Sequence, residues 1–437
     1  MMKKIAPLLL TASMLGGCLN FWKEEKDPLP GMRHVVFLNQ DALRPDPSVA
    51  STNLTLPAPE PRAIWPMASA VADHAPRPVK LGGTLQEAWR GDIGVSSHGK
   101  LLSGPVVAQD TVFAVDTNGD VSAFSLETGA LVWRVETVDA SHEYQPFGGG
   151  LCWDDGKLFV TTPSAEVVCM DAKDGTVLWR KALSAPSRCA PTPYKGAVYV
   201  LTTNNQLTAL SVKDGAPLWT HVGMMESAGL LGGASPAVQG NTVVVAYTSG
   251  EVYGLTADTG HALWVESLNS PGAVDSLSSL AHIKARPVIS DGMAFVMSHA
   301  GRMSAIDLRT GHFVWTRPLG GVHTPAVWGE ALFFVTSDNH LVCCDKRSGG
   351  VRWSKALPER ENYEEDGEAL FWAGPILADG ELVLTGSSGK IIFCSPKDGA
   401  ITRVLNGSDT FFLSPIAVSN ALIALGDSGN LVTFKQG

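Results

Sequence analysis

The sequence predicts an all-β fold, an eight-bladed β-propeller of four-stranded antiparallel blades, and three features lead there. A hairpin turn of the type Thr/Asp/Ser-Gly recurs with a Trp four residues after the Gly, at Thr128-Gly129…Trp133, Asp174-Gly175…Trp179, Asp214-Gly215…Trp219, Thr259-Gly260…Trp264, Thr310-Gly311…Trp315 and Ser348-Gly349…Trp353. A seventh copy, Asp398-Gly399…Arg403, lacks the Trp, and the seven glycines are 45 residues apart on average. An alternating strand precedes each turn, such as Val121 to Ser125 or Met303 to Asp307, with a second strand one hairpin earlier and often a Pro before that. Four short strands per ~45 residues is the arithmetic of a propeller blade.

The elements follow in order. Residues 1–17 read as a signal peptide: Lys3 and Lys4 form the basic start and Ile5 to Leu15 a short apolar run. It ends at Leu15-Gly16-Gly17-Cys18, which resembles a bacterial lipobox, so Cys18 is the expected lipidation site. Several acyl chains on one Cys anchor more firmly than the single chain that is only marginal. Leu19, rather than Asp, follows the Cys, and by resemblance to bacterial sorting rules this favours the outer membrane. Residues 18–84 form a lipidated Pro-rich tether, with ten Pro between Leu19 and Ala88. Two stickier pieces, His34 to Leu38 and Ile64-Trp65, are expected to dock on the folded body.

Residues 85–437 carry the eight blades. Inner strands begin near Pro105, Pro191, Pro236, Pro287, Pro325, Pro375 and Pro415, and one without Pro begins near Gly150. The last unit runs out of chain after three strands, while Gln86 to Arg90 precedes the first blade with a matching Trp89. The N-terminal strand is therefore expected to close the ring on the last blade and remove its open edge. Gly119, Gly250, Gly301, Gly389 and Gly429, with Asn205 and Asn339, stand where a tight turn needs φ > 0. Trp89, Trp133, Trp179, Trp219, Trp264, Trp315 and Trp353 form a structural ladder, one large ring per outer strand to cover the junction with a neighbour.

The composition excludes some functions. A net charge of −10 repels phosphate backbones, so no nucleic acid is expected as partner. No Cys-x-x-Cys-His, His-Glu-x-x-His, Gly-x-Ser-x-Gly or phosphate loop occurs, and neither metal nor cofactor is expected. Cys343-Cys344 fall on the repeat slots of Ala123 and Phe124, ordinary third-strand positions. In an oxidising compartment Cys152 and Cys189, which open neighbouring inner strands, are the best candidates for a disulfide. Glu361 to Glu368 holds five acidic residues in eight and reads as a solvated loop.

The element Ala305-Ile-Asp-Leu-Arg-Thr-Gly-His-Phe-Val-Trp315 resembles the quinoprotein-dehydrogenase-like propeller group. That group holds pyrroloquinoline-quinone (PQQ) enzymes and a non-enzymatic lipoprotein family, the BamB family of the outer-membrane β-barrel assembly machine. Lipobox, tether and eight compact blades together look like the BamB family from Cys18 onward. The Pro-rich segment with Trp65 and His74 looks like its alphaproteobacterial variant.

The resemblance implies no catalysis. It implies docking on a periplasmic POTRA domain of BamA, contact with other subunits of the complex and with unfolded outer-membrane proteins, and a lipid anchor on the periplasmic face of the outer membrane. The contact would come from loops 223–235 and 267–286. There Leu230, Leu231, Asp275, Leu277 and Leu280 are the apolar and charged candidates, with Leu230 in Ala228 to Gly232 and the element Val274 to Ser278 matching the family's pattern. Leu231 stands where the family has Arg, and Ser279 and Ala281 replace an acidic pair. The alternative is a periplasmic PQQ-dependent dehydrogenase-like or ligand-binding propeller, against which stand blades too short to roof a cofactor.

Overall fold

The computed structural model describes residues 42–94, 100–138, 147, 149–225, 231–269, 282–299, 301–360 and 368–437. These build eight four-stranded antiparallel sheets arranged as blades. Blades one to seven span 106–135, 150–182, 192–222, 237–267, 288–317, 326–356 and 372–406. Blade eight takes three strands from 416–436 and its outer strand from Leu85–Asp92, which pairs antiparallel with Asn430–Gln436. The ring is thus closed by joining the two ends of the repeat region. Among the described residues no helix is long and apolar enough to cross a membrane.

Alternation builds the core. The second and third strands of the blades are largely buried, as in Ala197–Leu201 and Gln206–Ser211. The outer strands are exposed on alternate residues. Apolar clusters fill the wedges between successive blades, and Trp219 and Tyr199 sit in one of them with Val243 and Leu255 of the next blade. Left-handed backbone appears at the expected turn positions, with φ of 56° at Asn205 and Asn339 and 83° at Gly250.

The Trp ladder is a chain of seats. Each indole lies opposite a small or short residue on the third strand, as Ala123, Cys169, Ala209, Gly254, Ala305 and Cys343 face Trp133, Trp179, Trp219, Trp264, Trp315 and Trp353. A bulge lies immediately before the indole on the outer strand, where Leu218 or Leu263 is the extra residue. The indole Nε1 donates to a turn carbonyl of the next blade: Trp89 to Leu126 (3.0 Å), Trp219 to Ala257 (2.9 Å), Trp264 to Leu308 (2.8 Å), Trp353 to Pro396 (3.0 Å). The turn Gly of that next blade lies under the ring, so close that a Cβ at Gly260 would stand 2.4 Å from Trp219.

The ladder breaks at Arg403 for a topological reason. Its indole would have to sit on the turn between the third and outer strands of blade eight. That turn does not exist, because the outer strand of blade eight comes from Leu85–Asp92, at the other end of the repeat region. Arg403 instead lies over the Phe393 ring, 3.7 Å from its centroid, and pairs with Glu381 at 3.0 Å.

Residues 42–84, the described part of the Pro-rich segment, lie against the ring. They run as a strap over the face of the ring that carries the inner-to-second-strand turns, and hydrogen-bond to seven of the eight blades. Asp46 N–H donates to Val351 (2.7 Å) on blade six, and Ser419 N–H on blade eight to Arg62 (2.6 Å). Trp65 exchanges two backbone bonds with Val107 on blade one (2.7 and 2.8 Å). Trp153, Val238 and Ile289, on blades two, four and five, donate to Pro66, Ala72 and Asp73 (2.7, 2.7 and 2.8 Å). Val79 N–H donates to Leu377 on blade seven (3.0 Å).

Inner strands have a free edge toward the axis, whose N–H groups need acceptors once water is excluded. Val107, Trp153, Val238 and Ile289 are equivalent residues in that edge. Blade three, the one the strap makes no hydrogen bond with, has Pro193 in the same register and no N–H to satisfy. Of the two sticky pieces, Trp65 docks as expected, and His34 to Leu38 lies outside the described residues.

All six described cysteines are free thiols, Cys152 and Cys189 among them. Cys152 is buried with Phe159 and Cys169, whereas Cys189 is buried in the neighbouring cluster with Tyr199 and Tyr247. The two thiols thus point into different inter-blade wedges. Cys343 and Cys344 diverge in the same way, one packing with blade seven and the other with blade five. Burial pushes the Cys343 thiol up to about 12.

Candidate partner-binding face

In an antiparallel blade the second-to-third-strand turns and the connections to the next blade leave on one face, opposite the strap. Loops 223–235 and 267–286 are two such neighbouring connections, from blade three to four and from four to five. Leu231 is half-buried at the base of the first. Leu230, Asp275, Leu277 and Leu280 lie outside the described residues, as does Cys18.

The described start of the first loop carries a feature the sequence reading did not single out. Val222, Met224 and Met225 are 60%, 62% and 73% exposed, the three most exposed large apolar side chains among the described residues. They are held on a rigid base. Gly223 N–H donates to the Asn205 carbonyl (2.8 Å), Met224 N–H to Glu251 Oε2 (3.0 Å), and Asn205 Nδ2 to the Met224 carbonyl. Asn205 is buried, and its Oδ1 accepts from the N–H (3.1 Å) and hydroxyl (3.0 Å) of Thr248 on blade four. Beneath lies Tyr247, whose ring stands 2.5 Å from where a Cβ on Gly223 would be and whose hydroxyl hydrogen-bonds His221 Nδ1 (2.7 Å). Burial lowers the His221 pKa and so favours the neutral ring.

The chemistry of this arrangement is recognition. Methionine side chains are long, unbranched and polarisable, and adapt to an apolar partner surface. A rigid backbone displaying them lowers the ordering cost of association. The signal was present in the sequence as Val222-Gly-Met-Met225, where apolar residues continue past the end of an outer strand into a connection. Among the described residues no three His, Cys, Asp or Glu side chains stand together as ligands for a metal ion.

The chain was compared with known proteins. The profile of the family described as "Outer membrane protein assembly factor BamB" matches residues 80–146 and 117–355. The protein of that name from Escherichia coli strain K12 is 28% identical over 360 residues, 81% of this chain and 89% of that one. Its namesake from Xanthomonas campestris is 29% identical over 363 residues, covering 82% and 85%. Among solved structures, BamB from Moraxella catarrhalis superposes with a TM-score of 0.68 at 18% identity, covering 80% of this chain and all of that one. The quinohemoprotein alcohol dehydrogenase of Comamonas testosteroni superposes at 0.66 with 12% identity, covering 90% and 83%, a likeness of fold.

Proposed function

This chain belongs to the BamB family of outer-membrane protein assembly factors, and from that premise we propose that it is a non-enzymatic subunit of the β-barrel assembly complex, docked on a POTRA domain of BamA. It is held to the periplasmic face of the outer membrane by lipid on Cys18, where it assists folding and insertion of barrel proteins. The observation that carries the docking face is the rigid display of Val222, Met224 and Met225 at the start of loop 223–235. An apolar cluster of this exposure on an otherwise acidic chain is what a partner's apolar surface would cover. Leu230, Leu231, Asp275, Leu277 and Leu280 are proposed to extend it.

The role is positional. The strap occupies one face of the ring and the connecting loops the other, so a partner on the loop face and a membrane tether need not compete. The test is co-purification of BamA from detergent-solubilised envelope. Met224→Glu with Met225→Glu, and separately Leu230→Glu with Leu277→Glu, are expected to reduce recovery at least tenfold while the thermal transition stays in place. Undiminished recovery with both pairs would remove this face from the interface, and labelling by palmitate that survives Cys18→Ala would remove the anchor.

A further inference from the structure

The strap leaves a pocket of about 50 Å³ between itself and the inner strands of blades five to eight. Trp65, Ser69 and His74 line it from the strap, and Arg286, Thr324 and Ser414 from the ring, with prolines and aliphatic side chains between them. The volume is several times the roughly 10–15 Å³ that one water needs.

Arg286 makes this pocket unusual. Its Nη1 donates only to neutral acceptors, the Ala68 carbonyl (3.4 Å), Ser69 Oγ (3.3 Å) and Thr324 Oγ1 (3.3 Å). Among the described residues no carboxylate ion-pairs with it, and the pocket's other guanidinium, Arg77, is paired with Glu60 at 2.6 Å. The ionisable neighbours that face Arg286 are basic, Lys284, His74 and His323, apart from the Cys189 thiol. Burial first, and these neighbouring cations second, bring His74 and His323 down to about 3, so both rings are neutral and only the Arg and Lys charges remain. A buried guanidinium without a counter-charge is costly, and proteins normally pair it.

A second observation points the same way. Trp65 is 3% exposed, its indole Nε1 is buried with no acceptor among the described residues, and it lines the same pocket. An orphaned N–H donor and an uncompensated guanidinium around one small space are the converse of a small anion. We propose that this pocket binds a small oxyanion of phosphate or sulfate size on the Arg286 guanidinium, with the Trp65 N–H as a further donor. The anion would join the strap to blade five through one shared ligand, and the inference does not depend on the partner-binding reading.

Selenate is the probe, at constant ionic strength, with the full chain in detergent. The melting temperature of the unmodified protein is expected to rise saturably with selenate, and that of Arg77→Gln in parallel. Trp65→Phe, which keeps a ring and removes the N–H, is expected to weaken the apparent affinity at least fivefold, and Arg286→Gln to abolish the response. Anomalous scattering from selenate-soaked crystals of the unmodified protein should place selenium at Arg286. No saturable rise, an equal rise in Arg286→Gln, or selenium bound only elsewhere would each overturn the proposal. If Arg286→Gln does not fold, unaltered affinity in Trp65→Phe together with an empty pocket in the soaked crystal does so.

Discussion

Gly260→Ala should destabilise the propeller far more than Gly292→Ala, although both glycines are left-handed turn residues with φ of 69° and 74°. An alanine in that conformation costs ~1–2 kcal/mol at either site. Around Gly292 no atom of the described residues lies within 4 Å of an added Cβ, so the cost ends there. At Gly260 the new methyl would stand 2.4 Å from Cε3 and 2.6 Å from Cδ2 of Trp219, where carbon atoms need about 3.5–4.0 Å. The indole must move by an ångström or more. It would then strain its packing on Tyr199, now 5.7 Å between centroids, at ~1–3 kcal/mol. It would also stretch its 2.9 Å bond to Ala257, worth about 1 kcal/mol. Gly260→Ala is therefore expected to lose about 3–6 kcal/mol against about 1–2 for Gly292→Ala, read from urea unfolding midpoints. In a Trp219→Leu background the excess should disappear. Equal losses for the two glycines in the unmodified background would refute the idea that turn glycines are seats for the preceding blade's Trp.

Three further outcomes follow from the same structure. Asp116 is buried, and this holds its carboxyl up at about 6 from an ordinary 3.8. The folded state therefore keeps the proton more tightly than the unfolded chain, and stability should fall as pH rises from about 4 to 6. Asp116→Asn, which retains the acceptor for the N–H groups of Asn118 and Asp120, should gain up to about 3 kcal/mol at pH 7 and nothing below pH 4 in calorimetry. Lys346 is 3% exposed and joins blades five and six through Asp291 (2.5 Å), Glu330 (3.3 Å) and the Gly329 carbonyl (2.6 Å). Lys346→Met should cost about 1–3 kcal/mol by leaving that carbonyl unpaired. Because hydrogen bonds from Lys346 and Arg347 depress the Asp291 and Glu330 carboxyls, this support is present above their unfolded values and lost as pH falls below them, so the variant's acid-unfolding curve should be flatter. Finally, the six buried thiols should resist a thiol reagent in the native protein and all react in denaturant without reductant; four reacting would restore a disulfide.

What is periodic was legible in the sequence. A blade is a local object: its three turns and four strands lie within ~45 residues, and burial of one face imposes an alternation that any window of the chain displays. Blade number, the positive-φ turn positions and the Trp ladder follow from that period, and so did closure by Leu85–Asp92, since the last blade lacked a strand and Trp89 lacked a blade. The contacts between distant residues carry no such period. The strap shows only as a run of prolines, because its partners are backbone groups of the ring up to 357 residues away, where any side chain would serve. Pro193 and the strap's omission of blade three become related only once both stand at the same height on the axis. Likewise the missing Trp at position 403 looks like drift in the repeat until blade eight is seen to have no turn for an indole to rest on, and Arg286 looks like one more loop cation until no carboxylate among the described residues is found to pair with it. Local pattern could settle what each blade is. Which unmet hydrogen bonds and charges the ring would leave, and what segment would come to answer them, had to wait for closure of the chain in space.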